Sequence, residues 1–471
     1  MPKTTGIIRS GGALLAAAAA LLLPASSPAA HSAAVQQAPP AESDSVVRRS
    51  LSLEETVRRA LEGNPDLQVS RLRERMAGAG VQRATSALLP RVQVTSGWQR
   101  TNDPVGVFGT KLRQGRFARE DLAIDALNDP LPITDWTSAA EARWSVLDPG
   151  RWSQRSAASS QAAAARWRAT RSRQGTEFRA RALYYDASRA EAELEAARAG
   201  EEAARDNLEL FRNRRDEGLL TEADVLQAEA EVEAARARRI EARRSLREAR
   251  ETLGLFLGWS PDSVPVPSDT MAEPEAVESG EEFVPERRSD LRALEAMAEA
   301  ARSEEDAAWR QYLPAVDAFG RWALHDADTP LGADGDNWSV GVQLRWTLFA
   351  GLGREAARRQ ADLAAQEARL QYTSAVREAT AEVRQARRAV ESARQRVEAT
   401  RAARRAAERG RDLTRRRFQE GLAIASDVLR AESRVTAMRS RAIQALAGYH
   451  VALARLRFAR SQDLNSPGGG R

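Results

Sequence analysis

Cysteine is absent from all 471 residues, so no disulfide framework holds this chain and no lipidated cysteine anchors it. Histidine occurs only as His31, His325 and His450, which leaves too few ligands for a zinc site or histidine-based catalysis. Beyond the first residues no run of 18 apolar residues occurs, so no helix is read as spanning a bilayer. Any insertion into lipid must be made by strands. Gly351-Leu352-Gly353 lacks the third glycine of a nucleotide loop. These absences point away from an enzyme, from a bound metal and from a cofactor.

What the chain has in quantity is Ala, Arg and Glu interleaved at helical spacing. The formal net charge is +5, and this interleaving reads as solvated helix faces rather than a nucleic-acid surface. Residues 1–34 read as a secretory signal, with Lys3 and Arg9, an apolar stretch at 13–23, and small residues after it. Residues 35–50 and 461–471 read as disordered.

One pattern occurs twice. Gly218-Leu219-Leu220-Thr221-Glu222-Ala223-Asp224-Val225-Leu226 and Gly421-Leu422-Ala423-Ile424-Ala425-Ser426-Asp427-Val428-Leu429 keep glycine and Asp-Val-Leu in one register, 203 residues apart. Glycine stops a helix because it takes positive φ freely, and Thr221 with Asp224 is spaced to cap the next one. Each copy is therefore the tip of a helical hairpin. Apolar residues flank the first tip in alternating steps of four and three, interrupted by Glu201 before it and Arg239 after it. Such steps specify supercoiled packing with close backbones. The chain divides into repeat 1 (51–257, tip about 216–224), a Pro-, Ser- and Glu-rich linker (258–286) and repeat 2 (287–460, tip about 419–427).

Strands come before each long helix, at about 91–100, 136–147, 315–325 and 337–348. Val92, Val94 and Trp98 alternate with Gln93, Thr95 and Gln99, and Trp338 through Leu348 alternate with Ser339 through Thr347. Six of the ten tryptophans, Trp98, Trp136, Trp144, Trp322, Trp338 and Trp346, fall in or beside these strands, as an interfacial belt would require. Four strands with one apolar face cannot close a membrane barrel, which takes about eight, so several chains must pool them.

Leu51-Ser52-Leu53-Glu54-Glu55 through Asn64-Pro65, the junctions Trp144-Ser145-Val146-Leu147-Asp148 and Trp346-Thr347-Leu348-Phe349-Ala350-Gly351, and the two Gly-Leu…Asp-Val-Leu tips together resemble the TolC-type outer-membrane factors. These are the exit ducts of tripartite efflux and type I secretion systems. The resemblance implies an α+β membrane protein, internally duplicated. Three chains, with four strands each, would form a 12-stranded β-barrel continuous with a 12-helix periplasmic α-barrel. It implies a homotrimer in outer-membrane lipid, extending into the periplasm. The expected partners are a periplasmic adaptor (membrane fusion) protein and an inner-membrane RND or ABC pump.

Gly218, Leu219, Gly421 and Leu422 match the family's adaptor-contact tips, and they also satisfy simple turn chemistry. Asp224 and Asp427 match aspartates that close the periplasmic entrance, and both equally suit helix capping. Arg430 stands where one family pattern has a second aspartate, which points to Arg–Asp pairing at the gate. The competing reading is an exported coiled-coil scaffold without a pore. An adaptor would need β-modules between its hairpin arms, which this sequence lacks.

Overall fold

Proline sets the corners where helix gives way to strand. Pro90 and Pro314 each follow a helix and precede a strand, since proline has no N–H to continue either ladder. The computed structural model describes residues 47–260, 263–273, 283–332 and 334–461. The readings of 1–34 as a signal, and of 35–46 and the tail beyond Ser461 as disordered, lie outside them.

In chain order the elements are β1 (Val47–Leu51), α1 (Leu53–Gly63), α2 (Pro65–Ser86), β2 (Arg91–Thr101), α3 (Pro104–Arg113), α4 (Ile124–Asn128), β3 (Ile133–Leu147), α5 (Pro149–Asp216) and α6 (Glu222–Phe256). After β4 (Ser263–Pro267) come α7 (Ser289–Arg310), β5 (Ala315–Asp326), β6 (Gly335–Arg345), α8 (Gly353–Gln419) and α9 (Ala425–Arg460). The 68 residues of α5 span about 100 Å at 1.5 Å per residue. Asp148 starts it by accepting from the Gly150 and Arg151 N–H groups, with Pro149 in the first turn.

Alanine seams hold the rods together. Ala180, Ala187, Ala190 and Leu194 of α5 pack on Leu246, Ala249 and Leu253 of α6. Val383, Val390 and Val397 of α8 pack on Ala445, Tyr449 and Leu456 of α9. The two polar intruders meet: Glu201, 4% exposed, pairs with Arg239 and with Arg205. Near the tips Phe211 and Phe418 join the two hairpins, their ring centroids 5.2 Å apart.

The short helices form columns beside the long ones. Asn64 caps α2 and also donates to the Phe256 carbonyl at 3.0 Å, so α6 hands over to α2. Arg288, at the N-cap of α7, donates to the Ala459 carbonyl at 3.2 Å, so α9 hands over to α7 in the same way. The second junction is ionic. Arg288 also bonds Asp290 and Glu382, and Arg171 of α5 donates to the Phe458 carbonyl at 2.8 Å. Burial, the largest influence on it, lowers Arg171 to about 10.

The four long strands form one antiparallel sheet in the order β2-β3-β5-β6. Its ends differ from expectation by three residues in two places and by at most two elsewhere. β3 starts at Ile133, because β2 continues to Thr101, which is Ile133's ladder partner. β6 stops at Arg345 rather than at 348, because its partner strand begins at Ala315, directly after Pro314. Trp346, Thr347 and Leu348 therefore lie past the sheet.

A correction applies to the segment read as disordered up to residue 50. Val47–Leu51 is a strand, paired in parallel with Ser263–Pro267 of the linker. Leu51 is buried, and its carbonyl accepts from Tyr184 Oη midway along α5, which a polar sequence stretch alone did not reveal.

Candidate functional site

The sheet register sorts its side chains into two faces. Val92, Ala142, Gly320 and Val340 form one cross-strand row, and Val94, Ala140, Trp322 and Trp338 form the next. Trp98 faces Trp136 on the same side, and Trp144 and Val342 continue it. Trp98, Trp144, Trp322 and Trp338 are all between 45% and 71% exposed, far more than core tryptophans would be. Eight residues separate Trp136 from Trp144, about 27 Å along a strand, close to the ~25 Å apolar band of membrane barrels.

Two of these tryptophans are anchored alike. Trp144 Nε1 donates to the Leu88 carbonyl at 3.0 Å, and Trp346 Nε1 to the Tyr312 carbonyl at 3.1 Å. Each thus clamps its repeat's helix-to-strand corner.

The opposite face is polar. Gln93, Glu141, Arg321 and Ser339 form one row, and Arg91, Arg143, Phe319 and Gly341 another. The Phe319 ring lies over Gly341, where a Cβ would come within 2.6 Å of it. At the loop end of this face the chain between β2 and β3 folds over the sheet. Gln114, just after α3, donates to the Thr134 carbonyl and to Asp135, both at 2.9 Å, and His325 Nδ1 lies 2.9 Å from the same carboxylate. This buried cluster escaped sequence reasoning, since Asp135 and His325 are 190 residues apart and only the strand register joins them. Among the described residues no group of His, Asp and Glu converges as a metal site, and no helix is long and apolar enough to cross a membrane.

At the far end the two tips are built alike. Gly218 (φ +72°) and Gly421 (φ +78°) occupy the left-handed region that other residues avoid. Gly218 N–H donates to the Arg215 carbonyl and Leu219 N–H to the Arg214 carbonyl. Gly421 and Leu422 repeat the pattern on Phe418 and Arg417. This is the Schellman motif, which normally packs its final apolar residue on the helix three positions before the cap. Here that position is arginine in both copies, so Leu219 and Leu422 stay 61% and 64% exposed.

Thr221 and Asp224 form the reciprocal cap their spacing predicts. Asp427 is bonded by Arg430 within its own helix. That hydrogen bond and the Ile424 N–H hold the Asp427 carboxyl below its ordinary range. Asp224 and Asp427 thus both cap, and among the described residues only Asp427 has a guanidinium beside it.

A family model described as Outer membrane efflux protein matches residues 56–259 and 284–460, most of the chain. The chain belongs to the outer membrane efflux protein family. Solved channels share its fold. CusC, whose structures describe folding and transmembrane channel formation, superposes with a TM-score of 0.76 over 88% of this chain and 92% of its own, at 15% identity. The outer-membrane channel OprN gives 0.76 over 87% and 90%, at 20% identity. VceC of Vibrio cholerae gives 0.73 over 87% and 96%, also at 20% identity. No curated protein matches the sequence. This outer membrane efflux protein is thus a channel-family member, located in the outer membrane.

Proposed function

We propose that three copies of this efflux protein pool their sheets into a 12-stranded barrel and their rods into a 12-helix tunnel. Solute would pass through it unmodified, from a periplasmic adaptor and an inner-membrane pump to the exterior. The observation that carries the reading is the sheet itself. It has four strands, one apolar face, and two free edges, β2 and β6, along which nearly every residue is exposed. Lipid does not tolerate such edges.

The helices support the same assembly. Leu226, Ile240 and Leu255 mark a second, exposed seam along α6, and Leu370 and Leu413 lie on the exposed side of α8. Exposed apolar residues recurring along one side of a coiled-coil rod ask for another rod. At the tips, exposed Leu219 and Leu422 are apolar knobs fitted to an adaptor's hairpins, while Asp224, Asp427 and Arg430 are placed to close the entrance. The test is single-channel conductance in planar bilayers: discrete pores support the duct, and pore-free protein supports an exported scaffold instead.

A further inference from the structure

The polar face of the sheet is unevenly charged, and the register fixes where. Along it lie Arg91, Arg143, Arg321 and Arg345, against Glu141 and Asp317 in the open part and Asp135 buried beneath the loop after α3. Arg143 pairs with Glu141, and Arg345 with Asp317. Arg321 lies opposite Glu141 in the ladder, but that carboxylate is already bonded to Arg143. Among the described residues neither Arg91 nor Arg321 has an acidic partner within ion-pair distance, and both are exposed. Below the sheet α8 carries two arginines for every acidic residue.

We infer that the barrel interior selects anions, so the solutes this duct passes carry carboxylate, sulfonate or phosphate groups. The inference rests on the duct reading, which places the polar face around water. Two unpaired arginines per copy become six around the bore of a trimer. A like-charged wall in a low-dielectric barrel concentrates counter-ions and repels co-ions. His325, Gln114 and Thr137 all bond Asp135, which is buried and so adds no exposed acid there.

The test is the reversal potential of purified protein in planar bilayers under a KCl gradient. The expected chloride-over-potassium permeability ratio is about 3 at low salt, falling toward 1 in 1 M salt, where the Debye length is only ~3 Å. Arg91→Gln with Arg321→Gln should bring the ratio close to 1, while Arg91→Lys with Arg321→Lys should leave it high. Pores that prefer potassium, or whose reversal potential ignores the glutamine pair, overturn the anion preference alone. Wild-type protein that forms no pore overturns the duct reading together with it.

Discussion

Glu201 and Arg239 allow the seam between α5 and α6 to be tested quantitatively. Their side chains are 5% and 26% exposed, and they sit on facing stripes made otherwise of Ala, Leu and Val. Arg205, 64% exposed, also reaches the Glu201 carboxylate. Arg239→Leu leaves a nearly buried carboxylate with only that solvent-side partner. A buried charge stripped of its mate costs about 3–5 kcal/mol, and the remaining Arg205 contact reduces this to about 2 kcal/mol. Glu201→Leu leaves an arginine with access to water, at about 1 kcal/mol. The double replacement restores an unbroken apolar seam and should cost less than Arg239→Leu alone. The assay is denaturant-induced loss of helical circular dichroism in detergent, run on the wild type and the three variants. If the double variant loses as much as the two single ones added together, the pair is not coupled and the proposed seam packing is wrong.

Three further outcomes follow from the tips and the ionic junction. If the proposed gate holds, Asp427→Ala should raise resting conductance, since it removes the carboxylate bonded to Arg430; an unchanged closed state would take Asp427 out of the gate. Leu219→Asp with Leu422→Asp should abolish co-purification with the adaptor while leaving helix content intact, because both side chains are exposed. Asp290 is one carboxylate through which acid should weaken the junction. Burial pushes its carboxyl up, but hydrogen bonds from Arg288 and the nearby Arg171 guanidinium outweigh that, so its folded value lies below the ordinary one. Its stabilisation is complete above the unfolded value near ~4 and is lost as pH falls through the lower folded value. Asp290→Asn should therefore flatten the decline in denaturation midpoint below about pH 4; an unchanged slope would show that other carboxylates dominate.

Much of the architecture could be read from spacing, because the chain uses the same devices twice. Gly218 and Gly421 share one turn, and Trp144 and Trp346 share one corner hydrogen bond, at offsets visible in the sequence. Glu201 and Arg239 stood out as breaks in separate stripes, although only the fold shows that they meet. What stayed hidden depends on pairings distant in the chain. Val47–Leu51 becomes a strand only because Ser263–Pro267 lies beside it. Arg91 and Arg321 come to share one face of the sheet only through the strand register, and Gln114 reaches Asp135 only because the loop turns back over the sheet. Local periodicity carries no information about such partners.

One chain's sheet is incomplete, and identical neighbours are proposed to finish it. The mass of the detergent-extracted particle, measured by native mass spectrometry, addresses this directly. Three chains per particle is the expected result; a single chain that retains its full sheet content would contradict it.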